Sequence, residues 1–211
     1  MEDKCDDIEE DDDDDIKVIL VGEMGTGKTS LINTAIGLNF QEKLASTTTN
    51  SIMNKTMTIN GKTYSINLWD TIGQEKYRSL TKIFLKGAKI VIFVYDITNL
   101  NSFKELDYWF ESTKEIINEK IVMGIVGNKS DLFLKEEVKE SDARALAKQK
   151  GFEFALTSAK NSTMFCEFLE KLLKKYLGQE DEENDEDNTN KKKAEKLKIG
   201  QAGAKTKKGC C

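Results

Sequence analysis

Apolar and polar positions along the chain alternate between two periods. The segments "IKVILV" (16–21), "AKIVIFVY" (88–95) and "IVMGIV" (121–126) are near-continuous apolar runs, the pattern of strands covered on both faces. "TYSINLW" (63–69) alternates instead, with Tyr64, Ile66 and Leu68 on one side, which suits a strand nearer one edge of a sheet. Asn60-Gly61 lies between two such runs in "SIMNKTMTINGKTYSINLW" and predicts a hairpin turn. Helical spacing of three and four is clearest over 163–177, where Phe165, Phe168, Leu169, Leu172, Leu173 and Tyr176 share a face. Phe103, Leu106, Phe110, Thr113 and Ile117 predict a second helix over 102–118 with Asn101 as its N-cap. Segment 137–150 predicts a weaker helix stopped by Gly151. These stripes are core faces. Strand and helix in alternation predict an α/β fold: a mostly parallel six-stranded sheet with helices on both faces. Ligands bind such sheets beyond the carboxyl ends of the strands, so the chemistry is sought in the loops that follow them.

Charge divides the chain into three parts. Residues 1–15 hold eleven acidic side chains against one lysine, too little apolar surface to repay ordering, and read as a disordered extension. Residues 178–211 read as a flexible tail, acidic at first and lysine-rich from 191 onward. The remaining 23 basic and 18 acidic residues fall in 16–177, a length suited to one domain with a real core. The amino-terminal segment has no apolar stretch of the secretory type, and no apolar run is long enough to span a bilayer. Cys5, Cys166, Cys210 and Cys211 lack metal-ligand spacing and the chain has no histidine, so a reducing cytosolic setting is expected.

Four loops carry candidate chemistry. "GEMGTGKT" (Gly22, Glu23, Met24, Gly25, Thr26, Gly27, Lys28, Thr29), followed by Ser30, fits G-x-x-x-x-G-K-[ST] between an apolar strand and a helical pattern. Glycines there let backbone N–H groups curl around phosphates at a helix amino terminus. Lys28 adds positive charge against β- and γ-phosphates, and the Thr29 hydroxyl is a Mg²⁺ ligand. In "WDTIGQE", Asp70 ends a strand where a carboxylate can hold Mg²⁺, Gly73 supplies a backbone N–H, and Gln74 can orient an attacking water. In "GNKSD", Asp131 can accept two hydrogen bonds from guanine, Asn128 can tie loops together, and the Lys129 stem can lie along the base. In "TSAK" (Thr157, Ser158, Ala159, Lys160), the Ala159 N–H would meet the guanine oxygen.

Together, over 16–177, these four motifs resemble those of a small GTPase of the Ras superfamily. "KYRSLT", "KGA" and "FVYDIT" (93–98), with the "CC" ending, are most similar to its Rab branch. The resemblance implies that Thr47 coordinates Mg²⁺ and senses the γ-phosphate, and that Phe40 packs against the base. It also implies that Cys210 and Cys211 carry two geranylgeranyl chains. One lipid chain binds a membrane marginally and two signals anchor it stably, with Lys205, Lys207 and Lys208 adding attraction to an anionic leaflet.

The expectation is therefore a GTP/GDP switch that hydrolyses GTP and uses Mg²⁺. It would recruit effectors in vesicle trafficking from the cytoplasmic face of an intracellular membrane, cycling with the cytosol. The resemblance implies partners: an exchange factor, a GTPase-activating protein, a GDP-dissociation inhibitor or escort protein, and effectors. No nucleic acid is expected among them, and the chain is read as a monomer. Lys28 and Gln74 are the expected catalytic residues. Three positions depart from the family: Met24 where small residues stand, Ile72 before Gly73, and "TTTNSI" (47–52), which leaves Ile52, Trp69 and Tyr77 as the effector-facing cluster. Bulk at Met24 and Ile72 supports an alternative, a guanine-nucleotide-gated binding module with little intrinsic hydrolysis.

Overall fold

The computed structural model describes residues 15–42, 47, 51–71, 83–116 and 121–178. Six strands form one sheet: β1 (Asp15–Val21), β2 (Ser51–Ile59), β3 (Lys62–Asp70), β4 (Ile90–Asp96), β5 (Val122–Asn128) and β6 (Glu153–Leu156). Their spatial order is β2-β3-β1-β4-β5-β6. Only the β2–β3 pair is antiparallel. That pair is the hairpin expected at Asn60-Gly61, whose φ values of 50° and 81° are those the tight turn demands. β1 starts one residue earlier than the apolar run, at Asp15, which pairs with Ser65 and accepts a hydrogen bond from Asn67 Nδ2 at 3.0 Å.

The pleat of β1 sends its apolar residues to two separate cores. Ile16, Val18 and Leu20 join α1 (Lys28–Ala35) and the carboxyl-terminal helix α5 (Ser162–Leu177) on one face. Ile19 and Val21 join α3 (Leu106–Lys114) and α4 (Glu140–Lys150) on the other. Every residue of β4 is buried, as the continuous apolar run predicts for a central strand. The α5 stripe seals the first core through Phe165, Phe168, Leu169, Leu172 and Leu173. Gly124 lets β5 approach that helix, because a Cβ there would stand 2.7 Å from the Phe168 ring.

The helix expected over 102–118 is corrected in three respects. It is two pieces, α2 (Leu100–Lys104) and α3, meeting at Glu105. Asn101 is not the cap: Asn99 holds an extended backbone and its side chain accepts from Asn101 N–H and Ser102 N–H. Trp109, absent from the expected stripe, is fully buried, while Ile117 lies outside the described residues. α4 begins at Glu140, after Lys139 in an extended conformation (φ −62°, ψ 137°), and the Glu137 and Val138 N–H groups before it donate to the Ile97 carbonyl. Among the described residues no helix is long and apolar enough to cross a membrane.

Candidate nucleotide-binding site

The loops beyond the carboxyl ends of β1, β3, β5 and β6 converge on a cavity of about 450 Å³, the position and size expected of a ligand site in an open α/β sheet. Met24, Gly25, Gly27, Lys28, Thr29, Ser30, Phe40, Thr47, Asn128, Lys129, Asp131, Ser158, Ala159 and Lys160 all line it. Gln41, Glu42, Thr71 and Leu132 line it as well; Gln41, Thr71 and Leu132 each adjoin a predicted residue, and Glu42 follows Gln41.

The first loop is shaped by close backbone approach. A Cβ on Gly22 would stand 2.1 Å from the Val94 carbonyl oxygen, and one on Gly27 would stand 2.4 Å from Asn128 Nδ2. Both positions therefore require glycine. Lys28 is buried and donates to the carbonyls of Gly22 at 2.7 Å and Glu23 at 2.9 Å. Burial pushes its ammonium down to about 8, against the opposing attraction of Asp70 and Glu23. Gly22 and Glu23 thus serve as the rest on which Lys28 lies rather than as cavity lining, and Thr26 Oγ1 braces the turn by donating to the Glu23 carbonyl at 2.9 Å.

Next to Lys28, three oxygens from distant parts of the chain meet. Thr29 Oγ1 donates to Asp70 Oδ2 at 2.7 Å and lies 2.6 Å from Thr47 Oγ1. Asp70 is buried, and its second oxygen, Oδ1, has no hydrogen-bond partner. Burial raises its carboxyl pKa, opposed by the Thr29 hydrogen bond and Lys28. One carboxylate and two hydroxyls, with an unspent buried oxygen, fit a hard divalent ion that retains water ligands. Among the described residues no trio of acidic, cysteine or histidine side chains offers an all-protein cage. The residues present therefore fit Mg²⁺ held jointly with a phosphate.

The opposite wall comes from β5 and β6. Asn128 Nδ2 donates to the Thr26 carbonyl at 2.8 Å, joining this wall to the first loop. Asp131 accepts from Ser158 Oγ at 2.6 Å and pairs with Lys160 at 3.0 Å. Burial acts to raise the Asp131 pKa, but the hydrogen bonds of Ser158 and Lys160 outweigh it and hold the carboxyl below its usual value. The Lys160 ammonium also stands 5.7 Å from the Phe40 ring centroid, so Phe40 and the "TSAK" loop flank the same opening. Lys129, in a left-handed conformation at φ 65°, reaches back to Asp96 at 2.6 Å. Asp96 was not expected from the sequence; the signal available was a lone carboxylate ending a wholly apolar strand.

Gly73 and Gln74, the expected water-positioning pair, lie outside the described residues, as do Ile72, Tyr77, Cys210 and Cys211. Residues 17–178 match the model of the Ras family. The chain is 36% identical over 157 residues to Ras-related protein Rab-11C of Dictyostelium discoideum, covering 74% of this chain and 70% of that protein. It is 32% identical over 209 residues to Ras-related protein RABA1b of Arabidopsis thaliana, covering 97% of each. With Ras-related protein Rab5 of Nicotiana tabacum it shares 37% identity over 147 residues, 70% of this chain and 74% of the relative.

Proposed function

The chain belongs to the Ras family of small GTPases, with Rab proteins among its relatives, and from that membership we propose a GTP/GDP switch of vesicle trafficking that recruits effectors while GTP is bound. GTP hydrolysis is the family's reaction and this chain's. The observation that carries the switch reading is the Thr29 hydroxyl bonded to both Asp70 and Thr47. It joins three sequence-distant segments at one point beside Lys28, so a ligand at that point bears on all three.

In this reading the phosphates of GTP enter the curl of N–H groups from Gly25 to Thr29, and the Lys28 ammonium leaves its two carbonyls for the β- and γ-oxygens. Thr29, Thr47 and Asp70 would hold Mg²⁺, which would supply positive charge against the charge developing on the phosphate oxygens. Gln74 orients the attacking water. Asp131 reads the guanine edge, the Ala159 N–H meets its oxygen, and the Lys129 stem and Phe40 cover the ring. Loss of the γ-phosphate removes the contacts of Thr47 and Gly73, and the segments around 41–50 and 71–82 rearrange. Lipids on Cys210 and Cys211 attach the protein to the cytoplasmic face of an intracellular membrane. It cycles with the cytosol, as a monomer, through an exchange factor, an activating protein and a dissociation inhibitor or escort.

A fluorescently tagged full chain tests the trafficking part. It should mark vesicle membranes, and Cys210→Ser with Cys211→Ser should render it diffuse; a diffuse wild type would sink this part of the reading. One observation favours the slower alternative: Met24 lines the cavity and is 53% exposed, a bulky side chain at the phosphate loop. Single-turnover GTP cleavage by the full chain and by Met24→Gly separates the two. Restored turnover only in Met24→Gly would favour a binding module that stays loaded.

A further inference from the structure

Asp96 is a charge in a place where a charge has to be explained. It closes β4, a strand otherwise wholly apolar, and is 6% exposed. Its carboxylate is fully engaged: Oδ1 accepts from the Thr98 N–H at 2.9 Å and the Thr98 hydroxyl at 2.7 Å, and Oδ2 meets Lys129 Nζ at 2.6 Å. The sheet register puts Asp96 opposite Asn128, and the Ile97 N–H donates to the Asn128 carbonyl at 3.1 Å, so Asp96 is locked to the strand end that bears Lys129.

Lys129 needs such a partner. Its backbone is left-handed (φ 65°, ψ 35°), a conformation that takes it out of the strand's alternation of side-chain direction. A lysine stem has several rotatable bonds and points nowhere in particular unless its ammonium is held. Here the ammonium is held by Asp96 while the residue lines the cavity.

We infer that Asp96 is a positioning residue for guanine-nucleotide binding, fixing the Lys129 stem along the cleft through the ion pair and thereby slowing nucleotide release. It touches no nucleotide in this account and acts only through Lys129. The inference rests on the guanine-nucleotide reading of the cleft.

The test is dissociation of a fluorescent GDP analogue from the full chain. Asp96→Asn keeps the shape and an acceptor for Thr98 but gives up the charge, and should release the analogue at least about tenfold faster. Lys129→Met keeps an apolar stem without the ammonium, and Asp96→Asn added to it should cause no further acceleration, since the pathway is already cut. A role in stability alone would add a further increase on the Lys129→Met background, and that result overturns the inference. So does an unchanged rate in Asp96→Asn. Should either single variant fail to fold, the double variant, which leaves neither charge unpaired, still decides: release from it no faster than from wild type overturns the inference. A wild-type chain that does not retain the analogue at all would overturn the guanine reading, and this inference with it.

Discussion

Asn128 Nδ2 donates to the Thr26 carbonyl at 2.8 Å, a buried bond between residues 102 positions apart. It joins the β5–β6 wall of the cavity to the loop after β1. Gly27 adds to the join, since any Cβ there would collide with the same Asn128 nitrogen. Asn128→Asp keeps the shape and replaces the donor with an acceptor facing a carbonyl. The expected cost is about 1–3 kcal/mol of stability, from a buried polar group left unsatisfied, with GDP release faster by at least about tenfold. Denaturant unfolding and GDP dissociation check the two halves; an effect on stability without one on release would show that the join does not couple the two walls.

Lys28 gives a pH-dependent prediction. Burial lowers its ammonium from 10.5 to about 8, so the nucleotide-free folded protein binds fewer protons than the unfolded chain between those values. Stability therefore rises with pH across that window, and the penalty of burying the charge is fully present below about 8. Phosphates arriving beside Lys28 favour the charged form and raise the pKa again. At pH 9, GDP binding should take up close to one proton, read by calorimetry in buffers of different ionisation enthalpy. Lys28→Arg, whose guanidinium does not titrate, should take up none. Equal uptake in both proteins would place the proton elsewhere.

How much of this was legible in the sequence depends on whether the determining contact was local. The Asn60-Gly61 hairpin, the glycine stop at Gly151 and the apolar strands are read from neighbours, and the structure has them at those positions. The cap of α2 was misread because Asn99 and Asn101 are both capable caps two residues apart. The choice falls to Asn99, whose φ of −139° turns its side chain onto the Asn101 and Ser102 N–H groups. The start of α4 was misread because Lys139 is extended, in a segment whose Glu137 and Val138 N–H groups are tied to the Ile97 carbonyl, a contact distant in sequence. Asp96 was missed likewise, since only the β4–β5 register brings it beside Lys129.

Tyr95 carries a prediction of opposite sign. Its hydroxyl is buried without a hydrogen-bond partner, and burial, reinforced by Glu136 and Glu140, raises the phenol pKa well above its ordinary value. The ring packs edge-on against Phe103 with centroids 5.0 Å apart, and Phe keeps that contact. Tyr95→Phe should leave stability unchanged or raise it by about 1 kcal/mol, because an unpaired polar group is removed from the core. Chemical denaturation measures it; a loss of more than about 1 kcal/mol would mean the hydroxyl has a partner in solution.

Gly22 tests the shape of the phosphate loop. Its φ of 148° and the 2.1 Å approach of a hypothetical Cβ to the Val94 carbonyl leave no room for a side chain. Backbone cannot step aside as a flexible side chain can, since Val94 sits in the central strand β4. Gly22→Ala should lose about 3 kcal/mol or more, or fail to fold, whereas Gly25→Ala, with open space around its Cβ, should pay mainly for its φ of 79°. Comparable losses in the two variants would contradict the close approach.

Base choice offers the sharpest test of the far wall. Asp131 is held ionised by Ser158 and Lys160, and a carboxylate accepts hydrogen bonds without donating any. Guanine presents two adjacent donors, a ring N–H and an amino group, that such an acceptor pair can meet. Xanthine replaces the amino group with a carbonyl, which an ionised carboxylate repels. Asp131→Asn presents one acceptor and one donor, so the ring N–H keeps a partner and the xanthine carbonyl gains one. GDP affinity should fall by about 10³-fold or more, in line with sites built around ligand hydrogen bonds, and xanthosine diphosphate should compete better than GDP. The lost ion pair with Lys160 lies at the cleft mouth and changes stability little, so thermal unfolding of the variant should stay close to wild type. A variant that still prefers GDP would remove Asp131 from base recognition and leave the Ala159 backbone N–H as the remaining reader.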